Sequence, residues 1–295
     1  MERLEAKWTV GKLKRLGNAL RDGAEPSSGL PDYDEVMLFY NEVAVQVEEE
    51  IDRQDWGPVL GELRPRVTSR AKSIDTLREK LQRIKTYQLP NIQDIAGVRF
   101  EADMSLDQQN RVAKQIAALL NPAGEIDDIR MAPHSGYRAI HVLLRLPTWD
   151  GDLKASLQVR VEVQIRTQLQ SAWANMYEAV ADVLGRGIRY DKYPAESEEA
   201  KLVAELQHLA LDRITKLEHR RNEAERVNGL HRDSQRYLQT LMPGPKGERA
   251  AEDVRAWGER LESVMASVQV LQQSYLEEMQ SIESRFATMR EERKR

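Results

Sequence analysis

Along this chain the apolar residues change period several times, and each change marks an element. From Leu157 to Arg166 the alternation is strict: Leu157, Val159, Val161, Val163 and Ile165 fall on one side, and Gln158, Arg160, Glu162, Gln164 and Arg166 on the other. Successive side chains take opposite faces only along a strand, so this stretch predicts one. Tyr137 to Leu146 reads the same way. Arg138, Ile140, Val142, Leu144 and Leu146 share one face; Tyr137, Ala139, His141, Leu143 and Arg145 share the other. The loop from Pro147 to Ser156, with Trp149-Asp150-Gly151-Asp152, predicts that the two strands pair antiparallel. Ile95 to Phe100 is a short buried strand.

Helical spacing holds elsewhere. Asp34 is the expected N-cap of a helix carrying Val36, Leu38, Val43, Val47 and Ile51, which stops before Gly57-Pro58. Ser73 caps a second, with Ile74, Leu77, Leu81 and Ile84 on one face and Leu89-Pro90 as its breaker. Leu106 to Leu120 is a third, closed by Asn121-Pro122-Ala123-Gly124. Thr167 caps a fourth that buries Trp173, Met176, Val180 and Val183. Residues 196–240 read as one long charged helix with a Leu202, Leu206, Leu209, Ile214, Leu217 stripe. Met242-Pro243-Gly244-Pro245-Lys246-Gly247 breaks it. Residues 249–293 form another, with Val254, Trp257, Leu261, Val264, Val268, Leu271, Tyr275 and Met279 near coiled-coil spacing. These last two helices are expected to pack on each other or on a partner.

The organisation is therefore a basic segment over 1–31, ending in Pro26-Ser27-Ser28-Gly29-Leu30-Pro31; a mixed domain over 32–190; a long helix over 191–241; and a helical interaction segment over 242–295. The fold class is α+β, with a sheet flanked by helices and a C-terminal helical extension.

Composition narrows the chemistry. There is no cysteine, which excludes disulfides and thiolate zinc sites. The five histidines have no metal-ligand spacing. The charged start and the lack of a long apolar run make the cytoplasm the expected compartment and a membrane partner unexpected. A net charge of −4 argues against bulk nucleic-acid binding. It leaves room for a local basic patch, such as Lys7, Lys12, Lys14, Arg15 and Arg21, which is also what an ordinary solvated helix face looks like.

Candidate chemistry lies in the middle section. Glu162 and Gln164, on one face of a strand ~7 Å apart, are flanked by Arg160 and Arg166. Taken alone, such a polar face is a solvated sheet surface. Tyr137 and His141 share a face, and Gly136 beside the tyrosine permits close approach of a flat ligand such as a base. Arg70, Lys72 and Lys80 gather positive charge at the start of the Ser73 helix, which suits a polyphosphate. Asp94 stands before a strand, followed by Gly97 and Arg99. Asp94 and Glu162 are the candidate pair for holding magnesium beside substrate phosphates. No phosphate-binding Gly-x-x-x-x-Gly-Lys loop occurs.

The order of these motifs is more telling than any one of them. Arg70-x-Lys72, Lys80, Asp94-Ile-Ala-Gly-Val-Arg99, Gly136-Tyr-Arg-Ala-Ile-His141 and Val161-Glu-Val-Gln-Ile-Arg-Thr167 together resemble the synthetase domain of RelA/SpoT-type alarmone synthetases. The resemblance runs from about Arg64 to Tyr190. It implies a nucleotidyltransferase-like mixed sheet. It also implies magnesium-dependent transfer of the β,γ-pyrophosphate of ATP to the 3′-hydroxyl of GDP or GTP. By the same resemblance Arg70, Lys72, Lys80 and Arg99 hold ATP and its phosphates, and Asp94 is a magnesium ligand. Tyr137 stacks on the acceptor's guanine and His141 lies near the transferred phosphates. Glu162 binds metal or activates the hydroxyl, and Gln164 and Arg166 complete that face.

Two departures matter. Pro133 stands where the family commonly has a lysine for the acceptor's phosphates, with Arg130 and Arg138 the cations nearby. No His-Asp dipeptide occurs, so the hydrolase signature of the long family members is missing. The chain thus resembles stand-alone small alarmone synthetases. It also resembles their toxic relatives from toxin–antitoxin and phage-defence modules, some of which modify the 3′ end of tRNA. GDP or GTP and tRNA both remain open as acceptors, with an antitoxin or a second copy as possible partners of the C-terminal helices. A non-enzymatic RNA- or ribosome-binding protein is the alternative of a different class. Against it, Asp94 and Glu162 would repel an RNA backbone unless a metal lay between.

Overall fold

The computed structural model describes residues 4–5, 7–24, 29–120, 124–131, 133, 135–149, 155–185, 187–188, 198–241 and 245–294. These form two compact units. The first comprises Met1–Ala102, Gln108–Ile129 and Ala139–Arg166; the second comprises Asp103–Asp107, Arg130–Arg138 and Thr167–Arg295.

The first unit is built on a mixed five-stranded sheet in the order β1-β2-β5-β4-β3. The strands are β1 (Arg66–Ala71), β2 (Ala96–Ala102), β3 (Glu125–Asp128), β4 (Ile140–Trp149) and β5 (Ala155–Thr167). β1–β2, β3–β4 and β4–β5 are antiparallel, and His141 lies opposite Gln164 and Leu143 opposite Glu162. Leu157, Val159, Val161, Val163 and Ile165 are all buried, as the alternation requires.

Helices α1 (Val10–Asp22), α2 (Tyr33–Asp52), α3 (Gly57–Leu60), α4 (Ile74–Arg83) and α5 (Leu106–Leu120) accompany the sheet. α2 lies against β1 and β2. Its cap is Asp32, not Asp34: the Asp32 side chain accepts from Glu35 N, and Asp34 falls in the first turn, where its charge favours the helix dipole. The basic helix α1 is not simply a solvated rod. Leu13, Leu16, Gly17 and Leu20 are buried, and Arg21 donates to the backbone oxygens of Leu81 and Tyr87, tying α1 to the end of α4. Lys7, Lys12 and Arg15 remain exposed.

The second unit is helical: α6 (Gln168–Leu184), α7 (Glu198–His208), α8 (Thr215–Leu241) and α9 (Pro245–Lys294). A π-helical turn, Leu209–Ile214, joins α7 to α8, so the long helix expected over 196–240 contains a bulge. α9 packs on α6 and α8. Its seam differs from the expected stripe. Gly258, Leu261, Val268, Gln272 and Met279 are buried, while Trp257, Val264 and Leu271 are exposed. Positions 254, 258, 261, 265, 268, 272, 275 and 279 keep an alternating four-three step, so the inward face is a heptad seam disguised by one glycine and one glutamine. A Cβ at Gly258 would lie 2.6 Å from the His231 ring. Gln272 is turned in because it donates to Asp103 and Gln168.

Expectations for Pro26–Ser28, Asn121–Ala123, Asp150–Lys154 and Met242–Gly244 lie outside the described residues. Among the described residues no helix is long and apolar enough to cross a membrane.

Candidate active site

The antiparallel β1–β2 pair brings the first charged cluster together. The Lys72 amide donates to Ile95 O at 3.1 Å, which sets Lys72 and Asp94 side by side where the two strands meet their loops. Both amino groups of Lys72 and Lys80 bond Asp94, Lys80 at 2.8 Å. Lys80 reaches it from α4, whose N-cap is Ser73 as expected. Burial pushes the Asp94 carboxyl up, but the two ammonium charges outweigh this and hold it below the usual carboxylate range. Lys80 stands in the last turn of α4 and not at its start as expected, and two cations on one carboxylate leave a net positive charge there, the electrostatics a polyphosphate needs. Arg70, on β1, pairs in register with Gly97; Arg99, on β2, pairs with Thr68. A Cβ at Gly97 would sit 3.3 Å from Arg70 O.

The second cluster lies on β4 and β5. Glu162 is only 7% exposed and Arg166 4%, so the polar face of β5 is not the solvated surface expected from the strand alone. His141 Nδ1 donates to Glu162 Oε1 at 2.6 Å, and Gln164 Nε2 donates to the same oxygen at 3.3 Å. Arg166 donates to Gln164 Oε1 at 2.5 Å. Burial again pushes the Glu162 carboxyl up; the His141 hydrogen bond and charge overcome it, aided by Gln164, while the Asp94 charge opposes them. The net shift is downward. His141, placed by resemblance near transferred phosphates, here holds the carboxylate directly.

The Asp94 charge reaches Glu162 and pushes its carboxyl up, yet both carboxyls are held below the usual carboxylate range. Two ionised carboxylates are hard oxygen donors of the kind that fit a magnesium ion. Among the described residues no group of three or more His, Asp or Glu side chains could hold a metal alone. The fit is to an ion that completes its shell with substrate phosphates and water.

Because both carboxyls titrate below their unfolded values, they stabilise the fold above the unfolded pKa of about 4, and this is lost as pH falls through the folded values. Urea midpoints are thus expected to hold steady to about pH 5 and to drop below about pH 4, less steeply for Asp94→Asn. Equal acid dependence in that variant would contradict the assignment of Asp94.

Tyr137 belongs to the second unit and not to the strand predicted for it. β4 begins at Ile140, and Tyr137 follows a turn in which Ser135 and Gly136 have φ of 51° and 87°. Tyr137 and His141 thus do not share a strand face. The Tyr137 ring packs, half-buried, on the helical core that contains Trp173, Leu206 and Ala210. Arg138 is 5% exposed and ion-paired with Glu218, so it is not a free cation for acceptor phosphates.

Sequence reasoning missed Glu218, Thr167 as more than a cap, and Gln170. Glu218 lies among many charged residues of α8, and only its 4% exposure singles it out. Thr167 caps α6 as expected, and Gln170 completes a capping box with it.

The family model described as "Region found in RelA / SpoT proteins" matches residues 69–182. Uncharacterised proteins of Mycobacterium bovis and Mycobacterium tuberculosis are 48% identical over 205 residues, which cover 68% of this chain and 69% of each of theirs. Small alarmone synthetase 1 from Bacillus subtilis aligns with a TM-score of 0.51 at 20% identity, covering 68% of this chain and 98% of that one. The same synthetase bound to its product pppGpp aligns with a TM-score of 0.50 at 20% identity, over 67% of this chain and 96% of that one. The described fold, a five-stranded sheet flanked by helices, is that of the small alarmone synthetases.

Proposed function

This chain belongs to the RelA/SpoT family, and on that premise we propose that it is a pyrophosphokinase that moves the β,γ-pyrophosphoryl group of ATP to the ribose 3′-hydroxyl of GDP or GTP. The observation that carries the reading is the pair of carboxylates set by the sheet: Asp94, ion-paired to both Lys72 and Lys80, and buried Glu162, held by His141 and Gln164. The product-bound Bacillus subtilis synthetase supports a guanosine acceptor.

In the proposed reaction the acceptor oxygen attacks the β-phosphorus of ATP, the bond from that phosphorus to the α,β-bridging oxygen breaks, and AMP leaves. Such transfers are loose, with charge spread over the moving group, so positioning and charge neutralisation dominate. Lys72, Lys80, Arg70 and Arg99 supply positive charge for the ATP phosphates. Glu162, kept ionised by His141 and Gln164, accepts a hydrogen bond from the 3′-hydroxyl and takes its proton late, when little basicity is demanded. Tyr137 offers a ring for the guanine, a stack worth ~1–3 kcal/mol. Magnesium, when bound, would be held by Asp94 and Glu162 and would neutralise phosphate charge there.

The test offers γ-labelled ATP with GDP, GTP or deacylated tRNA separately, in magnesium buffer. Label is expected on GDP or GTP. Label on tRNA alone would overturn the nucleotide acceptor and give the exposed Lys7, Lys12 and Arg15 a partner. Label on none of the three would overturn the activity.

A further inference from the structure

Both chain neighbours of Tyr137, Gly136 and Arg138, meet residues of the C-terminal helical region. On one side, a Cβ at Gly136 would lie 2.7 Å from Trp173 Cζ2 and 3.2 Å from Ala210 Cβ. Ala210 sits in the π-helical turn, where Ala210 O accepts both from the Thr215 backbone N–H and from Thr215 Oγ1, the latter at 2.9 Å. On the other side, Glu218 Oε2 accepts from Arg138 at 2.5 Å. Glu218 Oε1 accepts from Thr167 Oγ1 at 2.5 Å and from Gln170 Nε2 at 3.0 Å. Glu218, Arg138, Thr167 and Gln170 are each at most 5% exposed. One buried carboxylate thus joins the residue after Tyr137 to the residue that ends β5 and caps α6.

We propose that Glu218 is a positioning residue for the acceptor platform: through Arg138 it fixes the backbone on which Tyr137 presents its ring, and the C-terminal helices thereby set acceptor recognition. This rests on the reading of Tyr137 as that platform. Ala210 and Glu218 both lie beyond the matched region, which ends at residue 182. A buried ion pair holds its two partners together, since either one left alone would be an uncompensated charge.

The test is a double-mutant cycle on the full chain, with GDP as the acceptor probe. Glu218→Gln is expected to raise the KM for GDP about tenfold and to leave the KM for ATP within about twofold, the size typical of directly coupled groups. In a Tyr137→Ala background the same substitution is expected to change the KM for GDP by less than about twofold. If Glu218→Gln does not fold, Glu218→Gln with Arg138→Gln, which strands no buried charge, takes its place with the same expectations. Equal effects in both backgrounds, or a fall in kcat with KM unchanged, would overturn the positioning role and leave Tyr137's own role standing. A Tyr137→Ala chain with an unaltered KM for GDP, or no turnover of GDP by the parent chain, would overturn the acceptor reading and this inference with it.

Discussion

Glu162→Gln is expected to lower pyrophosphoryl transfer by roughly 10²–10⁴-fold while the chain stays folded. The substitution keeps the volume of a residue that is only 7% exposed. Its oxygen can still accept one of the hydrogen bonds from His141 and Gln164. What it removes is the charge. That charge costs desolvation, as the upward push of burial on the carboxyl indicates, and it opposes Asp94. The check is steady-state turnover beside a urea melt. A cooperatively folded variant within about fivefold of parent turnover would remove Glu162 from the chemistry.

Gly136→Ala is expected to destabilise the second unit by roughly 2–5 kcal/mol, from backbone strain and overpacking together. The backbone there has φ of 87°, a region that side chains adopt at a penalty. The added methyl would also meet Trp173, which cannot yield cheaply. The Trp173 indole donates to Leu206 O at 2.9 Å and stacks on Tyr177 with ring centroids 4.7 Å apart. Urea unfolding followed by tryptophan fluorescence measures the loss. A change under about 0.5 kcal/mol would mean that the turn is not constrained as described.

Where the pattern was strong, the chain announced its structure. The strict alternation of β5, the Thr167 cap of α6 and the Leu106–Leu120 helix are as the sequence pattern implies. Shorter or mixed signals were not legible. β3 is Glu-Ile-Asp-Asp, mostly exposed, with no apolar face to mark it, and it exists because β4 offers an edge. β1 alternates weakly because its residues are mostly partly exposed or exposed. Tyr137 and Arg138 extend the alternation of β4 by chance of sequence, while the positive φ at Ser135 and Gly136 forms a turn just before them and the regular strand begins only at Ile140. The α9 seam was hidden because Gly258 and Gln272 are chosen for His231 and Asp103, not for hydrophobicity.

The site divides in the same way. Motif order brought Lys72, Lys80 and Asp94 forward, and the structure joins them; it likewise joins His141, Glu162, Gln164 and Arg166. That two lysines would share one carboxylate is a consequence of strand pairing, and no linear spacing encodes it. Glu218 is further beyond reach. A glutamate in a helix of glutamates and arginines carries no mark until burial distinguishes it.

The central claim is that a pyrophosphoryl group, not a single phosphoryl group, leaves ATP. The most direct test incubates the chain with ATP, magnesium and GDP and separates the adenine nucleotides by anion exchange. The account predicts AMP in one-to-one proportion with a guanosine product carrying two additional phosphates, and neither in Glu162→Gln. ADP as the accompanying product, or ATP left intact with GDP unchanged, would contradict it.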